Sequence, residues 1–186
     1  MRAAFVVLAL VFSSAVVPQE KIKACMDCHG AGGISTTPLT PSLGGQPAFY
    51  LIAQLFLFRE GRRDNAVMVA SAKGLSDDDL RSLSDRISKL PPPPPPKAGK
   101  NSEKHLRGKA IVEQRHCTGC HGKDFAGHNN VPRVAHQRED YLAKALKDYR
   151  SSSRIGYGTA VMPETVNGLS DAQLEDVAHY LAYLAN

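Results

Sequence analysis

Apolar residues recur at helical spacing in two stretches of the chain, each of which directly follows a serine. Ser76 is followed three residues later by Asp79, and Ser170 by Gln173, which is the pattern of a capping box at a helix N-terminus. The apolar positions after each serine form one stripe on a helix: Leu80, Leu83, Ile87 and Leu90 in the first stretch, and Leu174, Val177, Leu181 and Leu184 in the second. The pattern predicts two amphipathic helices at related positions.

The same periodicity predicts further helices in both parts of the chain. One pair covers 47–60 and 138–150. Another pair leads into the cysteine motifs described below, where 105–116 is a clear helix and 20–24 allows only a turn or two. Neither part shows the alternation of apolar and polar residues that is typical of a strand. The predicted fold class is therefore all-α, with three or so helices in each part.

The chain contains two copies of a repeat of about ninety residues. Residues 41–51, PSLGGQPAFYL, align with 132–142, PRVAHQREDYL, at an offset of 91, and residues 68–80 align with 162–174 at an offset of 94. The run of six prolines between the copies favours a stiff polyproline II spacer that holds two bodies apart and together. We predict an N-terminal domain at 16–90, a linker at 91–102 and a C-terminal domain at 103–186.

The first residues have the pattern of an export signal, predicted at 1–15. Arg2 precedes the apolar stretch 3–12, and the small residues Ser13 and Ala15 fit cleavage after residue 15, or as late as about 19. The alternative is an uncleaved membrane anchor. No other stretch is long and apolar enough to span a membrane, so membrane association is predicted only through this segment or through a partner protein. Both alternatives predict export into an oxidising compartment.

All four cysteines lie in two copies of one motif, CMDCHG from Cys25 and CTGCHG from Cys117. Three chemistries fit C-x-x-C-H: a structural zinc site, a disulfide or redox thiol pair, and covalent haem. Zinc would leave His29 and His121 unexplained, and a thiol oxidoreductase has a strand, not a helix, before its motif. Haem explains every residue of the motif and fills a sparse core. We therefore predict two covalent haem c groups, attached through Cys25, Cys28, Cys117 and Cys120.

His29 and His121 are then the ligands on one side of each iron. A ligating histidine usually donates its second ring N–H to a fixed acceptor, which sets the orientation and basicity of the ring. Pro41 and Pro132 occupy matching places after the two motifs, so their backbone carbonyls are predicted to be these acceptors. Simple stiffening of the loop is the alternative role for the prolines.

The ligand on the other side of each iron decides the function. Of the four methionines, Met1 is the initiator and Met26 lies inside the first motif. The remaining two, Met68 and Met162, fall at the same place in each repeat, on a loop before the capped helix, and we predict that both bind iron. Packing in the core is their alternative role. The first domain has no histidine besides His29, whereas the second also offers His105, His128, His136 and His179.

These residues resemble a known family. C-x-x-C-H-G, P-x-L-x-G-Q-P-x-x-Y-L at 41–51, R-x-G-R at 59–62, Met68 and G-L-S-D are similar to class I cytochrome c, and the tandem arrangement is similar to the dihaem cytochrome c4 type. The resemblance covers nearly all of the mature chain. It implies two all-α haem domains related by an approximate two-fold axis, and periplasmic electron transfer with redox proteins such as a terminal oxidase, a quinol-cytochrome c reductase or a periplasmic dehydrogenase.

The formal net charge of +5 is a poor guide to partners. The chain has no run of five like charges and no interleaving of aromatic and basic residues, so nucleic-acid binding is not predicted. Loss of Arg2 with the signal, and two propionates on each haem, bring the mature holoprotein close to neutrality. Arg59, Arg62 and Arg150 are candidates to pair with the propionates, and solvated helix-end charges are the alternative.

The predicted function is that of a single-electron carrier and not of an enzyme. Two irons with all positions filled leave no place for a substrate, and methionine ligation favours the oxidising side of a respiratory chain. One alternative is the haem subunit of a periplasmic dehydrogenase. A dihaem peroxidase is a second alternative, although it needs one iron that can open. A zinc or disulfide spacer module is a third.

Overall fold

The computed structural model describes residues 19–154 and 161–185, and within these ranges the regular structure is helical. The described part of the N-terminal half contains α1 (Gln19–His29), α2 (Ala48–Arg59), α3 (Ala66–Ala72) and α4 (Asp77–Ser88). The described part of the C-terminal half contains α5 (Ser102–Gln114), α6 (Thr118–His121), α7 (Glu139–Arg150), α8 (Val161–Val166) and α9 (Asp171–Ala182). The prediction of an all-α fold is confirmed.

Capping boxes begin the last helix of each half. The Ser76 hydroxyl accepts from the Asp79 N–H at 3.1 Å, and the Asp79 carboxylate accepts from the Ser76 N–H at 3.0 Å. Ser170 and Gln173 make the same pair of bonds at 3.3 and 2.9 Å. The predicted apolar stripe of each helix is largely buried. Its buried residues are Leu80, Leu83 and Ile87 in α4, and Leu174, Val177 and Leu181 in α9.

The N-terminal half is held together by a small apolar cluster. Ile22 of α1 packs with Leu51 of α2 and with Leu83 and Ile87 of α4. Beside this cluster, the ammonium group of Lys21 pairs with the Asp79 carboxylate at 2.7 Å. Because the pair is partly exposed, it contributes at most about 1 kcal/mol. The burial of Ile22 therefore supplies most of what fixes α1 against α4.

The C-terminal half has a larger core because α5 lies close against α9. At Gly108 a Cβ atom would be 2.0 Å from the Asp176 carbonyl oxygen and 2.8 Å from Tyr180 Cβ, so only glycine permits this approach. Arg107 next to it donates two hydrogen bonds to the Asp176 carboxylate, at 2.6 and 2.9 Å. The buried cluster below includes Ile111, Val112, Leu142, Leu146, Leu174, Val177 and Leu181.

The leading helices differ from the prediction in opposite ways. α1 is not limited to a turn or two at 20–24 but runs for 11 residues, through the cysteine motif to His29. α5 instead ends at Gln114, before the predicted end at residue 116, and α6 carries the second motif. His116 between them has a left-handed φ of 52°, which cannot continue a right-handed helix.

The two halves that the proline run joins are in direct contact. Tyr50 donates its backbone N–H to the Asn129 carbonyl across the halves at 3.0 Å. The start of the proline run packs on the N-terminal half, where a Cβ on Gly44 would lie 2.1 Å from the Pro91 carbonyl oxygen. A polyproline segment makes no internal hydrogen bonds, so it gains by lying against a loop instead of extending into solvent.

The predicted signal at 1–15, with its alternative as an anchor, lies outside the described residues, and the domain boundaries at 90 and 102 stay a prediction. None of the helices in the described ranges is long and apolar enough to cross a bilayer.

Replacing Gly108 with alanine tests the contact between α5 and α9. We expect Gly108→Ala to lower the free energy of unfolding of the C-terminal half by about 1–3 kcal/mol, because the new methyl group forces the helices apart. Gly74→Ala is the matched control, since no atom lies within 4 Å of the added Cβ, and it should change stability by less than about 0.5 kcal/mol. Unfolding in guanidinium chloride, followed by circular dichroism, measures both. Equal effects of the two substitutions would contradict the close approach.

Candidate haem-binding site

The first cysteine motif lies in the last turns of α1. Cys25, Cys28 and His29 are spaced i, i+3 and i+4, so they share one side of the helix. Cys28 is exposed and Cys25 is half-buried, with its thiol 3.4 Å from the Lys21 carbonyl oxygen. His29 is buried, with 6% of its surface exposed. One stretch of helix thus presents two thiols beside a buried imidazole.

The second motif repeats this arrangement in the short helix α6. Cys117 is the residue before the helix and is half-buried, whereas Cys120 is exposed. No disulfide joins the four cysteines, which differs from the disulfide considered as an alternative. Burial raises the pKa of the Cys25 thiol and of the Cys117 thiol.

The two motif histidines are oriented by proline carbonyls. His29 Nδ1 lies 2.8 Å from the Pro41 carbonyl oxygen, and His121 Nδ1 lies 3.0 Å from that of Pro132. Because a carbonyl can only accept, Nδ1 carries the proton in both rings, and in a neutral ring Nε2 keeps its lone pair. Burial lowers the pKa of both histidines, against the opposing effect of the bond to the carbonyl. Each ring is therefore a neutral donor of fixed orientation, which is the form that binds metals.

The four thiols do not come together as a zinc site. Among residues 19–154 and 161–185, no three His, Cys, Asp or Glu side chains are grouped so that they could hold a metal ion. The two motifs belong to different halves, on α1 and α6. Since a structural zinc site needs four converging ligands, this arrangement does not fit zinc.

Met68 and Met162 lie in short helices, which corrects the prediction that they lie on loops. Met68 belongs to α3, and its backbone N–H donates to the Asn65 side chain at 2.9 Å. This cap satisfies a free N–H at the start of α3, so a helix forms where a loop was expected. Met162 belongs to α8 and packs against the C-terminal core. Both side chains are half-buried, and their role as iron ligands stays a prediction.

Two other histidines of the C-terminal half have hydrogen-bond partners of their own. His179 is buried, and its Nε2 accepts from the Asn101 N–H at 2.9 Å while its Nδ1 lies 3.1 Å from a Glu139 oxygen. His136 Nε2 lies 3.3 Å from the Leu184 carbonyl oxygen. Both ring nitrogens of His179 are therefore in use, which argues against it as the second iron ligand.

The three arginines proposed for the propionates lie in unlike surroundings. Arg59 pairs with Asp77 at 2.7 Å, and Arg150 pairs with the Asp171 carboxylate. Arg62 is exposed. The first two contacts favour the alternative role, in which the arginines are paired charges at helix ends. Pairing of all three with propionates stays a prediction.

A cationic cluster that sequence reasoning missed lies between the halves. Arg154, with 6% of its surface exposed, donates to the Tyr50 hydroxyl at 3.1 Å and to the Gln54 amide oxygen at 3.4 Å. Arg63 donates to the same amide oxygen at 2.6 Å and to the Tyr141 hydroxyl at 3.2 Å. None of these partners is a carboxylate, and the buried Arg154 Nε has no hydrogen-bond partner among the described residues. We call these five residues the arginine–tyrosine cluster.

The repeat contained a signal for this cluster. Arg63 and Arg154 are related by the offset of 91, and so are Tyr50 and Tyr141. Burial opposes ionisation of Tyr141, but the positive charges of Arg154 and Arg63 outweigh it and lower the pKa of its hydroxyl to about 7. The cluster thus brings two guanidinium groups together with no carboxylate among their described hydrogen-bond partners, and the partly ionised Tyr141 hydroxyl offsets at most one of the two charges, so the remaining positive charge fits an anionic group.

The residues present fit covalent haem c in both halves. Each half offers two thiols and an adjacent imidazole whose ring is held by a carbonyl, with the ring buried at His29 and half-buried at His121. The arginine–tyrosine cluster, with its orphaned Arg154 Nε, offers charge of the sign that propionates require. The thiols would hold the group through thioether bonds, and the imidazoles would bind its iron.

Comparisons with known proteins agree with this site. Residues 106–185 match the cytochrome c family. The chain is 34% identical over 179 residues to the thiosulfate dehydrogenase electron acceptor of Thiomonas intermedia K12, an alignment that covers 91% of this chain and 82% of that protein. It is 31% identical over 183 residues to cytochrome c4 of Pseudomonas aeruginosa PAO1, covering 94% and 90%. A cytochrome c4 structure from Acidithiobacillus ferrooxidans superposes with a TM-score of 0.79 at 30% identity, covering 87% and 99%.

Fold and site together define a class I c-type cytochrome with two covalent haem c groups, one on each motif, that carries electrons and is not an enzyme. Within that class the chain belongs to the dihaem cytochrome c4 family.

Proposed function

We propose that this chain is a periplasmic carrier that passes single electrons between respiratory partners through two haems, each bound by one histidine and one methionine. The ligand pairs are His29 with Met68 and His121 with Met162. The observation that carries the proposal is the matched pair of hydrogen bonds from the motif histidines to Pro41 and Pro132. A neutral imidazole held in one orientation, twice in one chain, is an arrangement built for iron.

When bound, haem supplies an iron that alternates between two oxidation states and so holds one electron. The chain's part is to fix the groups around it. The proline carbonyls accept the Nδ1 proton, which makes Nε2 of His29 and His121 a stronger donor. A thioether from Met68 or Met162 would be a weak donor to the iron, one that favours the reduced form and raises the reduction potential.

The surroundings of Met68 and Met162 support their role as the second ligands. Both lie at the same place in the repeat, in a short helix directly before the capped helix, and both are half-buried. His29 is the only histidine in the sequence before the proline run, so methionine has no histidine competitor in the N-terminal half. In the C-terminal half, the buried His179 is already hydrogen-bonded through both nitrogens.

We assign the propionates chiefly to the arginine–tyrosine cluster. Its two guanidinium groups, Arg63 and Arg154, are bonded to hydroxyl and amide groups and to no carboxylate, so they need anions more than Arg59 and Arg150, which already bind carboxylates. Arg62, exposed next to the cluster in sequence, remains a further candidate. Propionates placed there would satisfy buried cations and would lie between the two halves.

A second candidate function is that of electron acceptor for a dehydrogenase of sulfur compounds. The observation that favours it is the relative in Thiomonas intermedia, which is described as a thiosulfate dehydrogenase electron acceptor. The two candidates share the same haems and differ only in the donor. Under either candidate, export is proposed from the predicted signal at 1–15 and from haem c attachment. A terminal oxidase and a quinol-cytochrome c reductase are the other redox partners that we propose.

Replacing each methionine tests the ligand assignment. We expect Met68→Ala and Met162→Ala each to open one iron to carbon monoxide in the ferrous protein, because water or an empty position replaces the thioether. Each variant should also lose about half of the near-red absorption band that sulfur ligation gives the ferric protein. The covalent haem should remain in both variants, since attachment depends on the cysteines.

The wild type is the control, and we expect it to bind carbon monoxide only weakly at neutral pH. Ready binding by the wild type would mean that one iron is open, and it would favour the peroxidase alternative. An unchanged spectrum in Met162→Ala would point to His128 or His136 as the ligand in the C-terminal half.

Removing Arg154 tests the propionate assignment. We expect Arg154→Met to lower the reduction potential of at least one haem, because a nearby cation favours the reduced form. The expected effect is about 1–2 kcal/mol, the attraction between unit charges roughly 10 Å apart at an effective dielectric constant of about 20. Arg150→Met is the matched control, since its charge is already paired with Asp171, and it should have a smaller effect. Spectroelectrochemical titration measures both, and a larger shift in the control would contradict the assignment.

Purification from the native periplasm distinguishes the two candidate functions. We expect the tagged chain to be recovered without a stoichiometric enzyme and to be reduced by a quinol-cytochrome c reductase supplied with quinol. Recovery in a fixed ratio with a dehydrogenase, and reduction by that enzyme's own substrate alone, would favour the second candidate. A tagged double variant with Cys25→Ser and Cys28→Ser, which lacks one haem, controls for binding to the matrix.

A further inference from the structure

Two buried glutamines join the halves in the same way at positions related by the repeat. The Gln137 side-chain oxygen accepts from the Ser42 N–H at 2.8 Å, and its amide nitrogen donates to the Ser42 carbonyl at 2.8 Å. Gln46 makes the reciprocal pair with Arg133, accepting from its N–H at 3.1 Å and donating to its carbonyl at 2.8 Å. Gln46, Gln137 and Ser42 are each less than 5% exposed.

The N–H that each glutamine binds belongs to the peptide group whose carbonyl holds a motif histidine. The Pro41–Ser42 peptide accepts from His29 through its oxygen and donates to Gln137 through its nitrogen. The Pro132–Arg133 peptide accepts from His121 and donates to Gln46 in the same manner. A single peptide group therefore separates each histidine from a glutamine of the opposite half.

We propose that Gln137 and Gln46 are positioning residues that tune the haem of the opposite half. Each glutamine acts through one peptide group on the iron ligand beyond it, Gln137 on His29 and Gln46 on His121. The proposal rests on the assignment of these two histidines as iron ligands under the proposed function.

The physical reason is the polarisation of the peptide group. A hydrogen bond to its N–H increases the negative charge on its carbonyl oxygen, and chains of such bonds strengthen one another in a buried, weakly polar setting. A more negative oxygen draws the Nδ1 proton more strongly, so Nε2 becomes a stronger donor to iron. Stronger donation stabilises the oxidised form. Each glutamine is therefore expected to lower the potential of the haem in the other half.

The backbone groups at Ser42 also determine the orientation of the Gln137 amide. A buried Ser42 N–H needs an acceptor and its carbonyl can use a donor, so only one orientation of the Gln137 amide satisfies both. An apolar side chain of the same length would leave both backbone groups without a partner. The amide is thus needed at this position for its hydrogen bonds and not for its volume.

Gln137→Met and Gln46→Met in the full dihaem protein test the proposal. These substitutions keep the length of the side chain and remove its hydrogen bonds. We expect Gln137→Met to shift the reduction equilibrium of the N-terminal haem toward the reduced form by about two- to fivefold, and to leave the C-terminal haem nearly unchanged. Gln46→Met should do the reverse. Gln114→Met, at an exposed position of α5, is the matched control and should move neither.

Nuclear magnetic resonance of the protein at stepped potentials reports each haem separately, and in the ferrous state it also shows the Nδ1 protons of His29 and His121. Each substitution should move the Nδ1 proton of the opposite half upfield, which a merely structural role of the glutamine would not do. Shifts confined to the haem of the mutated half, equal shifts of both haems, or no shift would overturn the proposal.

Should Gln137→Met fail to give holoprotein, Gln137→Asn takes its place, because the shorter arm breaks the same bonds and keeps an amide. Failure of the proposed function looks different from failure of this proposal. In the first case the wild type itself lacks the spectrum of histidine and methionine ligation. In the second case the wild type shows that spectrum and the variants do not shift in the crossed pattern.

Discussion

The hydrogen bond from each motif histidine to a proline carbonyl is the contact on which the rest of the site depends. This hydrogen bond places the ring proton on Nδ1, and burial favours the neutral ring. Nε2 therefore keeps its lone pair, and the hydrogen bond fixes the direction in which that lone pair points. The cysteines fix where the haem is attached, but they do not orient the imidazole. The carbonyls of Pro41 and Pro132 do so, and the backbone on the far side of those peptides is held in turn by the opposite half.

The two halves solve the same packing problem with different residues. In the C-terminal half, Gly108 lets α5 lie against α9, whereas the N-terminal half relies on the burial of Ile22. At the turn before the second helix, Gly45 has a φ of 67° and its counterpart His136 has a φ of 57°. A histidine in this left-handed conformation is strained relative to glycine, so the repeat preserved the backbone at a cost in free energy. The haem surroundings are therefore unequal although the site is repeated.

Much of the fold and of the site could be predicted from the sequence because the signals are local. The capping boxes at Ser76 and Ser170, and the spacing of cysteine and histidine in each motif, act within one turn of helix. The end of α5 at Gln114 could not be predicted, because nothing in the periodicity marks the positive φ of His116 just beyond it. The arginine–tyrosine cluster and the direct contact between the halves were missed because they join residues about a hundred positions apart. The recurrence of Arg63 at Arg154, and of Tyr50 at Tyr141, was the signal in the sequence for the cluster.

The contact between the halves is polar, and this chemistry explains why the two haem domains keep one relative orientation. Apolar surfaces slide at little cost, whereas buried backbone groups paired with Gln46 and Gln137 lose their partners if the halves rotate. The same holds for the buried guanidinium of Arg154, which reaches Tyr50 and Gln54 across the boundary. A fixed orientation would also hold at one separation the two haems that His29 and His121 are proposed to bind. Passage of an electron between them would then not wait on an encounter of two mobile domains.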